Sequence, residues 1–283
     1  MKKIIVLLVL ATLLASDFKA QEQTVLDGAY VKEHNATKRV IPYPPLREAD
    51  VMWSKRIWRK IDLREKLNHP FFYPRTDIED RKSLFGVIRH ALLVEGSLTA
   101  YSLGPAFDDD EFRYPMTQNE VDTLLNPVVT RYIENLDTGE LEPIQTAEPV
   151  ESSIVKEYVI KEDWIFDKQR SERYVRIIGI APKAEDRDPS TGEIRGNKWL
   201  FWLYFPECRY VFANADVYNR QNDAQRRTFE DLFQQRMFAS YIVKESNVYD
   251  REIQDYAIGL DALLEAEDIK GQLFEIEHDL WHY

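Results

Sequence analysis

The sequence predicts an α+β fold, with N-terminal helices, then a central antiparallel β hairpin or sheet, then C-terminal helices. Apolar residues recur at spacings of three and four over much of residues 51–131, and a spacing of two appears from about residue 156. Helical spacing returns near the end of the chain. Because strands and helices do not alternate, the pattern argues against a doubly wound parallel sheet.

Composition limits the classes of protein to consider. The chain has 283 residues, of which 44% are hydrophobic and 12% aromatic, so it can build a core and is not intrinsically disordered. Its net charge of -12 argues against a nucleic-acid partner and against direct binding to anionic lipid, since both need a basic surface. A single cysteine excludes an internal disulfide and any multi-cysteine metal site.

The first twenty residues have the pattern of an export signal. Met1–Lys3 is basic, and Ile4–Ala15 is apolar apart from Thr12. As a helix this run would rise about 18 Å, which is too short for a hydrocarbon core of about 30 Å. We expect residues 1–20 to be a signal peptide cleaved after Ala20, and the mature protein to be exported without inserting into a membrane.

A proline-containing arm follows over residues 21–50. The cluster Pro42-Tyr43-Pro44-Pro45 favours extended polyproline geometry and prevents a helix. We expect an arm that is either mobile or laid on a neighbouring molecule. Ile41, Tyr43 and Leu46 would give it side chains to insert into a groove of a partner.

Residues 51–131 are predicted to be a helical part. Trp53, Ile57 and Ile61 recur every four residues and predict a helix over Arg47–Leu67, although Trp58 lies off that stripe. A capping box at Thr76–Glu79 is expected to open a helix ending near Gly96. A second box at Thr117–Glu120 is expected to open a short helix through Leu125.

Residues 132–155 contain six acidic residues, two prolines and no Lys or Arg, which predicts an acidic linker or exposed loop. The remainder, residues 156–283, is predicted to be an α+β part. It forms one compact domain either alone or together with residues 132–155. Its expected strands are Tyr158–Phe166, Tyr174–Ile180 and Trp199–Phe205, the last two forming an antiparallel hairpin around the polar turn Asp186–Glu193. Its expected helices begin at Asn222 or Asp223 and span Asp250–Lys270.

The sequence patterns assign no catalytic, cofactor-binding or metal-ligating residue. There is no phosphate-binding glycine loop, no nucleophile elbow and no H-E-x-x-H motif. His278 and His282 could share a metal, Asp108–Glu111 could suggest calcium, and Cys208 could be a nucleophile. A docked tail, a solvated loop and a buried cysteine, respectively, explain them better.

The tryptophan clusters leave two functions open. Trp53 with Trp58, and Trp199 with Trp202 and Tyr204, could stack on sugars in a secreted carbohydrate- or peptidoglycan-binding module. They fit equally well in a core or a subunit interface, and that interpretation is favoured. The candidate partner interface is therefore Ile41, Tyr43, Leu46, Trp53 and Trp58.

Several long motifs together resemble one family. They are Met52–Pro70 (MWSKRIWRKIDLREKLNHP), Tyr158–Arg170, Phe201–Arg209 (FWLYFPECR), Asn222–Arg227, Lys244–Arg251 and Gly259–Glu265. These stretches resemble the gliding-motility protein family GldN, called PorN in non-gliding relatives, over about residues 49–270. The arm and the last twelve residues do not contribute to the resemblance.

The resemblance implies a non-enzymatic periplasmic component of the type IX protein secretion system. Such proteins assemble with an outer-membrane lipoprotein, GldK or PorK, into a ring on the inner face of the outer membrane. The periplasmic part of a motor protein, GldM or PorM, is implied as a further partner. The resemblance implies no cofactor and supplies no catalytic residue to transfer.

Overall fold

The computed structural model describes residues 38–78, 81–134, 141–187, 193–219, 222 and 224–279. All of them belong to one compact unit, Ala36–Tyr283. The predicted signal peptide and most of the arm lie outside the described residues. With 29% helix and 33% strand, and with antiparallel pairing, the structure confirms the α+β class.

Strands and helices are numbered in chain order within the described residues. The strands are β1 (Val51–Asp62), β2 (Ala100–Ser102), β3 (Tyr114–Pro115), β4 (Val128–Glu134), β5 (Leu141–Ala147), β6 (Val155–Asp167), β7 (Glu172–Arg187), β8 (Ile194–Trp199), β9 (Trp202–Tyr204), β10 (Asp216–Val217), β11 (Arg227–Thr228) and β12 (Tyr241–Glu245). The helices are α1 (His69–Phe72), α2 (Leu84–His90), α3 (Gln118–Leu125), α4 (Phe205–Phe212), α5 (Phe229–Gln234) and α6 (Leu260–Asp279).

An eight-stranded antiparallel sheet organises the fold. Its order is β12-β1-β6-β7-β9-β2-β3, and β8 also pairs with β7. The long strands β1, β6 and β7 lie side by side in its middle. Two small hairpins, β4–β5 and β10–β11, stand apart from this sheet.

The prediction of a helix over Arg47–Leu67 is wrong. A short 3-10 turn at Glu48–Asp50 leads into β1, which pairs with β6 and β12. Apolar residues spaced by four, such as Ile57 and Ile61, share a face on a helix and also on a strand, because four is a multiple of the strand period of two. Pairing on both edges with β6 and β12 decides between the two.

Three predicted helix starts have different outcomes. The capping box at Thr117 is confirmed, because its hydroxyl accepts from Glu120 N and the Glu120 carboxylate accepts from Thr117 N. The box predicted at Thr76–Glu79 does not open a helix, since α2 begins after Ser83, whose hydroxyl caps it. The cap predicted at Asn222 or Asp223 is also wrong, because Thr228 caps α5.

The later elements follow the prediction more closely. Strand β6 contains the predicted Tyr158–Phe166 strand, and β7 pairs antiparallel with both β8 and β9, as the hairpin interpretation requires. The predicted strand Trp199–Phe205 is instead divided between the end of β8 and β9, and Phe205 begins α4. Residues 132–155, predicted as a linker or loop, instead supply much of the β4–β5 hairpin. The helix predicted over Asp250–Lys270 begins only at Leu260, as α6, and a 3-10 turn at Ile253–Asp255 precedes it.

The sheet has two differently covered faces. On one face, residues such as Ile160 and Ile180 pack under helices α1 to α5, and Trp164 with Ile57 packs under α6. On the other face, Val159 and Ala181 contact a layer of aromatic side chains from Trp58, Trp199, Trp202, Tyr101 and Phe112. All three buried clusters therefore pack against this one sheet.

Two aromatic rings approach Gly179 closely, so a substitution there tests the packing on this face of the sheet. A Cβ added to this β7 residue would lie 2.7 Å from Cζ of Phe112 and 3.2 Å from Cε3 of Trp202. We predict that Gly179→Ala lowers the free energy of unfolding by about 1–3 kcal/mol, because the two rings must shift. The measurement is a urea unfolding curve with comparison of midpoint and slope.

Gly271→Ala is the matched control. Gly271 lies in α6, and an added Cβ would meet nothing within 4 Å. Alanine has the higher helix propensity, so this variant should gain about 0.5–1 kcal/mol. Equal stability of Gly179→Ala and the parent chain would contradict the packing described at this point.

Candidate functional site

The described part of the arm is held on the body of its own chain by arginine side chains. Arg209 Nη2 donates to the carbonyl oxygen of Ile41 at 2.8 Å, and Arg176 Nη2 donates to that of Pro44 at 2.6 Å. The structure thus differs from the expectation of an arm that is mobile or laid on a neighbour. We call Arg176, Arg209 and Asp231 the arm-binding site.

Tyr43 is the side chain that the arm contributes. Its ring lies 4.1 Å from the guanidinium of Arg209 and 5.4 Å from that of Arg176, at distances suited to cation–π contact. Burial raises the pKa of the Tyr43 hydroxyl, although Arg209 opposes the shift. The phenol therefore stays neutral at physiological pH and acts as a packing and recognition group.

Both ends of the described arm are also fixed. Lys38 Nζ contacts both carboxylate oxygens of Asp231 at 2.6 Å. Burial alone would raise the pKa of Asp231, but the hydrogen bonds from Lys38 and Thr228 outweigh it, so the pKa is lowered. At the other end, Lys168 N donates to the carbonyl oxygen of Asp50 at 2.8 Å. The arm is therefore held over its whole described length.

A buried ion pair holds Arg209 in position. Arg209 on α4 donates from Nε to Glu230 Oε1 of α5 at 2.7 Å, and both side chains are less than one-tenth exposed. Burial raises the pKa of Glu230, and Arg209 acts against that shift. The pair fixes the guanidinium plane so that one edge faces Glu230 and another N–H faces the arm. The site can bind an extended backbone and one aromatic ring.

The five predicted interface residues fall into two groups. Ile41 is 80% exposed, while Tyr43 and Leu46 are half-buried in the arm. Trp53 is half-buried against the α6 cluster, whereas Trp58 is buried on the opposite face of β1. The structure therefore brings the arm residues together and separates the two tryptophans. Whether any of the five contacts a partner stays a prediction.

The aromatic face gives little support to a sugar-stacking platform. Trp58 and Trp202 are 7% and 2% exposed, and Trp199 stacks on Trp202 with ring centroids 5.5 Å apart. Lys244 lies over the Trp58 ring at 4.7 Å. Rings that are buried or already covered cannot present a free face to a sugar.

The acidic loop Asp108–Glu111 serves as an anchor. Asp110 accepts from the Trp58 indole N–H at 2.7 Å and from Lys161 Nζ at 3.1 Å. Lys161 is almost fully buried, and this desolvation lowers its pKa, which Asp110 partly offsets. Sequence reasoning took this loop as solvated and missed Lys161, which reads as one more charged residue in a polar run.

The remaining candidates for a metal or catalytic role are His278, His282 and Cys208. His278 is exposed beside Asp279, and His282 lies outside the described residues. Within the ranges that the structure describes, no group of three or more His, Cys, Asp or Glu is placed to hold a metal. Cys208 is buried, and burial raises the pKa of its thiol.

Comparison with known proteins identifies the family. Over residues 46–282, the chain matches the family model described as "Gliding motility associated protein GldN". The chain belongs to the GldN family. This is a gliding-motility family and not a known enzyme family. A search of curated proteins found no match.

The family match includes the whole arm-binding site but not the arm residues that it holds. Arg176, Arg209 and Asp231 lie within the matched residues, whereas Ile41, Tyr43 and Pro44 lie just before them. The site was not predicted, because its arginines come from distant segments and bind backbone carbonyls that carry no side-chain signal. In the described part of this GldN-family chain, no helix is both long and apolar enough to span a bilayer.

The first prediction from this site concerns Tyr43. Tyr43→Ala removes the ring held by Arg176 and Arg209, so the arm should open more often. We expect tryptic cleavage after Arg39 or Arg47 to accelerate roughly tenfold, in line with the loss of two cation–π contacts. The measurement is limited proteolysis followed by mass spectrometry.

Ile41→Ala is the matched control for arm release. The Ile41 side chain is exposed, and only its backbone carbonyl contacts Arg209. Its cleavage rate should equal that of the parent chain. Equal rates for Tyr43→Ala and Ile41→Ala would show that the ring does not hold the arm.

A further prediction concerns Cys208. Its buried thiol has a raised pKa, so little thiolate is present at pH 8 and access is blocked. We expect the native protein to react with a maleimide at least about a hundredfold more slowly than the urea-unfolded chain. Fast labelling of the native protein would show that the thiol is accessible after all.

Proposed function

We propose that this protein is a non-enzymatic structural component of the type IX secretion and gliding machinery. In this proposal it forms a periplasmic ring with an outer-membrane lipoprotein of the GldK or PorK kind, and a GldM- or PorM-like motor protein contacts that ring. The observation that carries the proposal is the GldN family match over residues 46–282.

The proposed location is the periplasm, at the inner face of the outer membrane. The basic start and the short apolar run Ile4–Ala15 support export, since they have the length and order of a signal peptide. A chain of net charge -12 is repelled by anionic lipid. The protein is therefore held at the membrane through its lipoprotein partner.

The arm-binding site supports a role in assembly and not in turnover. It recognises an extended segment through carbonyl oxygens and one ring, which is a mode used in protein–protein contacts. The carbohydrate-binding alternative would need exposed aromatic platforms, and the burial of Trp58 and Trp202 does not favour it.

The test is purification of the tagged chain from gently solubilised cell envelopes. We predict a particle many times heavier than one 33.4 kDa chain, containing an outer-membrane lipoprotein in stoichiometric amount. The measurements are light scattering of the particle and mass spectrometry of its components. A control chain lacking residues 2–20 should stay in the cytoplasm and yield no such particle.

Two outcomes would contradict this proposal. A monodisperse single chain in the periplasm with no lipoprotein partner would overturn the ring proposal. Recovery of the control chain in the periplasm would overturn the assignment of residues 1–20 as the export signal.

A further inference from the structure

Helix α6 carries apolar residues on two different sides. Its inner face, Ala266, Ile269 and Leu273, is buried against the sheet. Its outer face, Leu260, Leu263, Leu264 and Phe274, is between 54% and 70% exposed. At 100° per residue these two sets fall on different sides of the helix. A helix that is apolar on both faces usually has something packed against each of them.

Acidic residues lie within the outer face of α6 and along one side of it. Between Leu260 and Lys270 the helix carries four carboxylates, Asp261, Glu265, Glu267 and Asp268, and a single cation, Lys270, which contacts Glu267. Ile258, immediately before the helix, is 85% exposed and extends the apolar surface. The outer face is thus an apolar stripe that includes Glu267 and has an acidic border along one side, formed by Asp261, Glu265 and Asp268.

A second surface of the same chain has the complementary character. A cavity of about 750 Å³ lies between α1, α5 and the β10–β11 hairpin. Leu67, Tyr73, Ile78 and Tyr218 line it and are each about half exposed. We call this cavity the basic groove for the reason given next.

The charge at the groove is opposite to that of α6. Lys66, Arg81 and Arg227 line it, and none of its thirteen described lining residues is Asp or Glu. This contrasts with the net charge of -12 on the whole chain. The volume lies within the range of pockets that receive several apolar groups, so it can accept the leucine side chains of one helical turn.

We propose that the outer face of α6 of one molecule docks in the basic groove of the next copy of this chain. This inference rests on the proposed function and names the surfaces through which the ring would form. The two surfaces share no residue, so the contact is heterologous and repeats from copy to copy until it closes. The apolar stripe fills the groove while the acidic border meets Lys66 and Arg227.

Charge also decides against a two-fold contact between two α6 helices. Such a dimer, with its two helices antiparallel, would place the acidic border of one helix against the same border of its mate. Like charges brought together at an interface are unfavourable, whereas the groove supplies cations at the matching rim.

The test is site-directed cross-linking in cells that make the full chain. Because Cys208 is buried, Leu264→Cys and Leu67→Cys each introduce one accessible thiol. In cells carrying both substitutions in one chain, a short bis-maleimide should give a ladder of dimers, trimers and higher products. Cells that co-express the two single variants should stop at the dimer, because each chain then has only one reactive surface.

Controls separate this contact from mere crowding and from the proposed function. Val94→Cys, at a residue 71% exposed and outside both surfaces, should replace either thiol without giving a ladder. Dimers from Leu264→Cys alone would overturn the proposal in favour of a two-fold contact. If large particles containing the lipoprotein form but the double variant gives no ladder, the ring stands and these surfaces are wrong.

Charge reversal gives a second readout without introduced thiols. Lys66→Glu with Arg227→Glu should weaken self-association roughly tenfold, as measured by sedimentation velocity of particles from envelopes. Asp261→Lys with Asp268→Lys in the same chain should restore it. If the chain with all four substitutions associates as weakly as the chain with Lys66→Glu and Arg227→Glu alone, the acidic border does not meet these two cations.

Discussion

The pairing of β6 with β1 and β7 is the constraint on which the rest of the fold depends. Both edges of β6 are paired over nearly its whole length, and its residues are buried on both faces of the sheet. Its buried charged residues have partners of opposite charge there. Glu162 is fully buried with Arg236 at 2.9 Å, and Lys161 reaches Asp110 on the other face. The helices, the aromatic layer and the acidic loop all cover the sheet that this strand helps to build.

Local signals in the sequence predicted elements well only where no distant segment competes. The box at Thr117 is complete within four residues and forms as expected, as does the strand around Ile160. The β1 segment was mistaken for a helix because Ile57 and Ile61 fit both periods. Trp58, off the helical stripe, was the available sign that a second face is buried, since it lies on the other side of the strand.

The candidate site was predictable only in part for a related reason. Tyr43 was expected to insert into a groove of a partner, and the structure instead places its ring against Arg209 of its own chain. Its receptor could not be inferred, because Arg176 and Arg209 are more than a hundred residues away and bind carbonyl oxygens, which every residue has. The tryptophans posed the opposite difficulty. Their type indicates an important surface, but only the packing shows that Trp58 and Trp202 are buried.

The arm offers a reason for the buried pair of Arg209 and Glu230. Removing two charges from water is costly, and an apolar pair could join α4 to α5 equally well. An apolar pair, however, would supply neither the N–H that binds the Ile41 carbonyl nor the cation beneath Tyr43. Glu230 orients the guanidinium, and the arm uses the donors that remain. The ion pair is thus better explained by recognition of the arm than by stability of the helices it joins.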